Sequence, residues 1–212
     1  MIGVIFDLDG TLLDTLGDLT DATNAALATF GYPPRSLEEV RQFVGNGAAR
    51  LMALAVPEGA DPEPVLNWFR PYYDDHCRIK TGPYPAILDV LALLGQEYPL
   101  AIVSNKPDSA VKALCADYFP GIFALGEAHG CPRKPAPDMV FRAMEAIGVD
   151  RCIYVGDSEV DLATAKNAGV PCLSVLWGFR TRQELEQAGA RHFCAKPGEL
   201  PYLIHSFFCG DK

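Results

Sequence analysis

Positive charge is in short supply in this 212-residue chain, where 18 Lys and Arg stand against 27 Asp and Glu for a formal net charge of −9. Nucleic acid and acidic membranes both reward a basic face, so neither is an expected partner. An anionic ligand would need a local positive centre. The seven cysteines (Cys77, Cys115, Cys131, Cys152, Cys172, Cys194 and Cys209) are odd in number, widely spaced and free of any Cys-x-x-Cys pair. That disfavours a disulfide framework and a thiolate zinc site, and makes reduced cytosol the expected location. The four histidines, His76, His129, His192 and His205, have no metal-ligand spacing. No run of 18 or more apolar residues occurs, and no basic stretch followed by an apolar one opens the chain. Neither a membrane span nor a signal peptide is expected.

What is present is ample core material, with 49% hydrophobic residues, in a length that suits one large or two small domains. Met1 to Phe6 is continuously apolar apart from Gly3, as a buried parallel strand would be, and it runs into Asp7-Leu8-Asp9-Gly10-Thr11. The segment from Asp14 to Phe30 has a helical apolar period and stops at Gly31. Ser36-Leu37-Glu38-Glu39 fits a capping box for a helix to about Phe43. Helices are also expected through Arg50 and Leu54 and from Pro64 to about Arg78, so residues 15–81 form an all-helical insertion. From residue 82 the pattern alternates. Strands are expected at Leu100 to Val103, weakly at Ile122 to Leu125, and at Cys152 to Val155 and Cys172 to Leu176. The intervening helices are Ile87 to Leu94, one capped by Asp108 and reaching Tyr118, one from near Pro137 to Ile147, Glu159 to Ala168, Gln183 to Ala188 and Leu200 to Phe207. Such alternation specifies an α/β fold with a doubly wound parallel sheet. Strand Met1 to Phe6 belongs to that sheet, giving a core of residues 1–14 and 82–212 interrupted by the helical block.

Parallel strands present their carboxyl ends at one edge, where open α/β sheets hold ligands. Three such ends carry polar groups here: Asp7 and Asp9, then Ser104 and Asn105, then Asp157 with Asp161. Three or four clustered carboxylates repel unless a cation neutralises them, and an all-oxygen donor set selects a hard ion, for which Mg²⁺ is the expectation. Each piece has a structural alternative. Asp-Gly pairs form turns, and acids at the start of a helix, such as Asp157-x-x-x-Asp161, serve as caps.

The order Asp7-x-Asp9-Gly10-Thr11, Ser104 after a strand, Lys134 before Pro135, and Gly156-Asp157-x-x-x-Asp161 resembles the four motifs of the haloacid dehalogenase superfamily of phosphohydrolases. The resemblance covers residues 1–14 and 82 to about 205, and the helical block matches the cap that one branch inserts after its first strand. It implies a magnesium-dependent phosphatase acting through an aspartyl-phosphate. Asp7 would be the nucleophile and Asp9 the general acid and base. Mg²⁺ would be held by Asp7, the Asp9 carbonyl and Asp157, with Asp161 supporting from behind. Gly10, Thr11, Ser104, Asn105 and Lys134 would bind phosphate, Lys134 supplying the positive centre.

The second aspartate, Asp9, and the Asp157 group argue against a dehalogenase, and Thr11 stands where family mutases commonly have an apolar residue. A sugar phosphomutase or pyrophosphatase, and a non-catalytic regulatory or binding module, remain the alternatives. Gly45-Asn46-Gly47 followed by Arg50 looks like the phosphoglycolate phosphatase branch. There Asn46, Gly47 and Arg50 would meet substrate, Arg50 by a fork to a carboxylate. A Gly-rich helix connection with a solvated Arg is the alternative. Ala136 departs from the acidic residue many relatives have after Lys-Pro, and the cap is short. The partner expected is a small phosphate ester; oligomeric state is not specified. Cys152 and Cys172 are expected as core residues, the Trp68 to Tyr73 cluster as cap packing, and Arg180 and Arg182 as helix-start residues without a role.

Overall fold

The computed structural model describes residues 1–128 and 130–209. In chain order the elements are β1 (Ile2–Phe6), β2 (Leu13–Asp14), α1 (Leu16–Thr29), α2 (Leu37–Phe43), α3 (Gly47–Ala55), α4 (Glu63–His76), β3 (Gly82–Pro83), α5 (Ile87–Leu94), β4 (Leu100–Pro107), α6 (Asp108–Tyr118), β5 (Phe123–Glu127), α7 (Asp138–Ala146), β6 (Arg151–Gly156), α8 (Glu159–Ala168), β7 (Cys172–Val175), α9 (Arg182–Gln187), β8 (Phe193–Cys194) and α10 (Leu200–Cys209). The chain divides into two units, one of Met1–Leu13 with Pro83 onward, the other of Asp14–Gly82.

The first unit holds a six-stranded sheet in the order β5-β4-β1-β6-β7-β8. Its paired strands run parallel, and Phe6 at the end of β1 lies opposite Ile102 on β4 and Val155 on β6. Side chains alternate between the faces, as pleating requires. Val4, Phe6, Ile102, Ile153 and Val155 pack with α5, α6 and α10, while Ile5, Ala101, Val103, Cys152 and Tyr154 pack with α7 and α8. Both faces are therefore covered, which is why these strands read as continuous apolar runs.

The second unit is helical, and its elements arise as the sequence predicts. Ser36 caps α2 by accepting from the Glu39 N–H at 3.2 Å, while Glu39 Oε2 takes the Ser36 N–H at 2.8 Å. Leu19, Ala22 and Ala26 of α1 and Val65, Leu66, Phe69 and Tyr73 of α4 are buried within this unit. Phe69 and Tyr73 stack at 5.3 Å between ring centroids, a packing role within the aromatic cluster. One feature is absent from the sequence expectations. Asp18, buried on α1, accepts the backbone N–H groups of Ile79, Lys80 and Thr81 at 2.9 to 3.0 Å. It thereby ties the first helix to the segment that leaves the unit.

Other departures have local causes. The strand β4 runs on through Ser104–Pro107, past the expected end at Val103, with a shifted register against β5. Asp108 does not cap α6: Pro107 occupies the cap position, and the Asp108 carboxylate accepts the Gly126 N–H at 2.9 Å, stapling α6 to β5. The two-residue strands β2, β3 and β8 are too short to leave a periodic signal.

Candidate functional site

The carboxyl ends of β1, β4 and β6 bring Asp7, Asp9, Ser104, Asn105, Lys134, Asp157 and Asp161 together within the α/β unit. After β1 the chain turns tightly, with Leu12 and Leu13 N–H groups returning to the Leu8 carbonyl at 3.0 Å. Gly10 sits in that turn at φ +85, and a Cβ there would collide with the Asp157 carboxylate. The left-handed angle and the close approach both demand glycine. Gly178, in the loop after β7, presses on Asp157 from another side with the same lack of room for a Cβ. Thr11 Oγ1 donates to Asp157 Oδ1 at 3.3 Å, and the Phe179 N–H donates to Oδ2 at 2.6 Å. Asp157 is thus held in one orientation from three directions.

Lys134 is the hub. Its Nζ lies 2.7 Å from Asp7 Oδ1, 2.8 Å from Asp161 Oδ1 and 3.0 Å from the Tyr154 hydroxyl. Its side chain is only 3% exposed, and a buried ammonium needs such partners to offset desolvation. The two carboxylate oxygens of Asp161 divide their work. Oδ1 faces Lys134 and accepts from Tyr154 at 3.1 Å, whereas Oδ2 accepts the Asp157 and Ser158 N–H groups and the Ser158 hydroxyl. Helix capping and site support, alternatives in the sequence, are combined in one side chain. Asp7 differs. Only its Oδ1 is met by a donor among the described residues.

Burial and the nearby Asp161 push Asp7 well above the ordinary carboxylate range, against the pull of Lys134. Burial first, then Asp161, pushes Asp157 up to about 7, while the Phe179 N–H acts the other way. Burial works against the charge on Lys134, but Asp161 and Asp7 outweigh it and hold the amine above its usual range. At these strand ends four carboxylates, Asp7, Asp9, Asp157 and Asp161, face two ammonium groups, Lys106 and Lys134. With all four acids ionised, the surplus of two negative charges equals the charge of one divalent cation. Oxygen atoms of Asp7, Asp157 and Asp161 lie within 4.8 Å of one another. Asp161 Oδ1 accepts from two protein donors and Oδ2 from three, whereas each Asp157 oxygen accepts from one and keeps a lone pair, so Asp7 and Asp157 are the side chains able to ligate a hard cation, with Asp161 behind them.

Asp9 lies to one side of this cluster. The Ser104 hydroxyl donates to Asp9 Oδ2 at 3.1 Å. Lys106 Nζ stands 2.9 Å from Oδ1 as an ion pair that falls outside hydrogen-bond geometry at that oxygen. The Asn105 side-chain amide donates to the Lys134 carbonyl at 2.9 Å, fixing the lysine's backbone.

Several participants escape the sequence analysis. Tyr154 carries no signal, being one apolar-strand residue among others. Lys106 follows Ser104-Asn105 directly, and the extension of β4 could have been suspected from that polar run. In the Trp177-Gly178-Phe179 loop, the Trp177 indole donates to the Thr11 carbonyl at 3.0 Å. Arg180, predicted to be without a role, is buried and its Nε donates to Glu159 Oε2 at 2.8 Å, anchoring that loop to α8. Arg182 pairs with Glu186 at 2.7 Å. Cys152 is buried and Cys172 half-buried, each on its strand.

In the helical unit, Asn46 and Gly47 are half-buried at the start of α3, and Arg50 is exposed on it. His76 stacks on Tyr72 at 3.9 Å, His192 meets the Phe207 ring edge at 4.7 Å, and His205 Nδ1 lies 3.4 Å from the Tyr98 hydroxyl. These are packing and hydrogen-bond contacts, and His129 lies outside the described residues. No helix among the described residues is long and apolar enough to cross a membrane.

Comparison with known proteins places these features in a family. A family model described as haloacid dehalogenase-like hydrolase matches residues 4–175. A phosphoglycolate phosphatase of Rhodobacter capsulatus is 36% identical over 211 residues, covering 92% of this chain and 94% of its own. One from Neisseria meningitidis serogroup A is 35% identical, with 96% and 92% covered. The crystal structure of a candidate phosphoglycolate phosphatase from Lactobacillus delbrueckii subsp. bulgaricus superposes with a TM-score of 0.90 at 40% identity, covering 95% of this chain and 97% of that one.

Proposed function

We infer that this chain, which belongs to the haloacid dehalogenase-like hydrolases and is a phosphatase, cleaves small phosphate monoesters by covalent catalysis at Asp7. Phosphoryl transfer needs an in-line nucleophile, a proton donor for the leaving oxygen and positive charge on the equatorial oxygens. The observation that carries the assignment is the asymmetry of Asp7, buried beside Lys134 through one oxygen and, among the described residues, not met by a protein donor at the other. That second oxygen attacks phosphorus as the P–O bond to the alcohol breaks, leaving an aspartyl-phosphate. Asp9 gives its proton to the departing alkoxide, then takes one from the water that attacks phosphorus and restores the Asp7 carboxylate. Ser104, Asn105 and Lys134 hold phosphate oxygens, together with Gly10 and Thr11 in the turn that follows the two aspartates.

Phosphatases of this family generally use Mg²⁺, and here Asp7, the Asp9 carbonyl and Asp157 would hold it. When bound it supplies positive charge to the phosphoryl group. The surplus negative charge and the oxygen-only donors support this fit. The division of labour between residues 1–14 with 82–212 and a helical cap of 15–81 is likewise proposed, with cap hinges at Asp14 to Gly17 and Lys80 to Tyr84 and substrate choice by Asn46, Gly47 and Arg50.

The substrate proposed is 2-phosphoglycolate, on the strength of the relatives' names. Phosphate release from a panel of esters including it, with Mg²⁺ and with EDTA, tests both parts. Metal-dependent turnover with 2-phosphoglycolate at the head of the panel is expected, and Arg50→Ala should flatten that selectivity. Turnover unaffected by EDTA contradicts the metal assignment, and a panel led by another ester contradicts the substrate.

A further inference from the structure

The site contains two buried lysines, and the chemistry above uses one. Lys134 is locked between Asp7, Asp161 and Tyr154. Lys106 is different. Its side chain is 4% exposed, and its ammonium lies 2.9 Å from Asp9 Oδ1. Its backbone is firmly placed: its N–H donates to Ser104 Oγ at 3.1 Å, and Gly126 packs so closely against the Lys106 carbonyl that a Cβ there would collide with it. The head group ends a long flexible stem and forms an ion pair with Asp9.

The position of that ammonium has a chemical meaning. Asp9 is the residue that serves the leaving oxygen, so a cation in contact with Asp9 is beside the leaving group and not beside the transferring phosphoryl group. In an ester whose alcohol carries a carboxylate on the adjacent carbon, the carboxylate carbon is two bonds from that oxygen. We propose that Lys106 is a specificity-determining residue, whose ammonium pairs with a second anion on the leaving group and so favours phosphate monoesters of short anionic alcohols. This rests on the phosphatase reading above and extends it by assigning leaving-group recognition to a residue of the α/β unit itself. In the absence of substrate the ammonium rests on Asp9, which keeps its charge from being buried unpaired.

The experiment compares 2-phosphoglycolate with 2-hydroxyethyl phosphate, a neutral-alcohol ester of similar size, in the wild-type enzyme and in Lys106→Met, Lys106→Gln and Lys106→Arg. Both rates should fall in the Met and Gln variants because Asp9 loses a neighbour, so the informative quantity is the ratio of kcat/KM for the two esters. A drop of at least about tenfold in that ratio, seen mainly in KM and partly restored by Arg, is expected. It corresponds to the loss of roughly 1.4 kcal/mol of discrimination. An unchanged ratio in Met and Gln overturns the proposal and leaves Lys106 as a support for Asp9. A wild-type enzyme that does not favour the anionic alcohol also overturns it, while hydrolysis of p-nitrophenyl phosphate would leave the phosphatase reading intact. If the wild type releases phosphate from none of the three esters, that reading falls and this one with it. Should Lys106→Met fail to fold, Gln and Arg supply the same ratio.

Discussion

Asp18 and Asp7 are both buried carboxylates, one in each unit, and they are satisfied in opposite ways. Asp18 takes three backbone N–H groups and spends its charge on chain geometry, joining α1 to residues 79–81. Among the described residues Asp7 accepts one ammonium hydrogen bond and stands among three other acids, so its charge is expensive and its second oxygen is available. A carboxylate saturated by fixed donors is an architectural device; one left partly unsatisfied beside a cation has the means to react. Asp161 lies between these extremes, with one oxygen capping α8 and the other steadying Lys134.

The comparison is broken most severely by removing the cation of the α/β site. Lys134→Met leaves Asp7 and Asp161 buried without their ammonium partner, and a loss of about 3–5 kcal/mol is expected for a broken buried pair. Urea unfolding of the metal-free protein measures it, and phosphate release should fall by at least about 100-fold, equivalent to some 2.7 kcal/mol of barrier. Asp18→Ala should cost about 2–3 kcal/mol, from backbone donors left without an acceptor. Hydrogen exchange at residues 79–81 should accelerate, while turnover of p-nitrophenyl phosphate per folded molecule suffers far less than in the Lys134 variant. Equal loss of chemistry in both variants would erase the distinction.

A smaller effect sharpens the same contrast through pH. Asp157 and Asp7 have folded-state pKa values raised above those of the unfolded chain, so the folded state binds more protons and stability falls as pH rises through the folded values. The metal-free protein should therefore gain stability as pH falls from about 8 toward 5, by at most about 1.4 kcal/mol per pH unit for each proton taken up. Saturating Mg²⁺, which binds the ionised carboxylates, should flatten or reverse that slope. Thermal unfolding at several pH values, with Mg²⁺ and with EDTA, reads it directly. A metal-free slope of the opposite sign contradicts the crowded-carboxylate account.

Much of this organisation is legible in the sequence because periodicity and strand ends are local properties. The runs around Val4, Ile102 and Val155 announce a two-faced parallel sheet, and Ser36 with Glu39 announces a helix start. The acids and Lys134 stand out because charge is conspicuous beside apolar strands. Other features depend on contacts far apart in sequence and leave no local trace. Asp18 occupies an ordinary polar position in a helical pattern, and its partners lie some sixty residues away. Gly178 and Phe179 clamp Asp157 from a loop whose composition suggests only a turn. Tyr154 reads as core until Lys134 is brought to its hydroxyl. Lys106 required knowing that β4 continues past Val103.

The central claim is that the partly unsatisfied oxygen of Asp7 attacks phosphorus. Acid quenching during turnover of a phosphate ester, followed by peptide mapping, should find a base-labile phosphoryl group on the peptide containing Asp7, and Asp7→Asn should abolish both that adduct and Mg²⁺-dependent phosphate release. Full turnover by Asp7→Asn, or an adduct on another residue, would contradict the account.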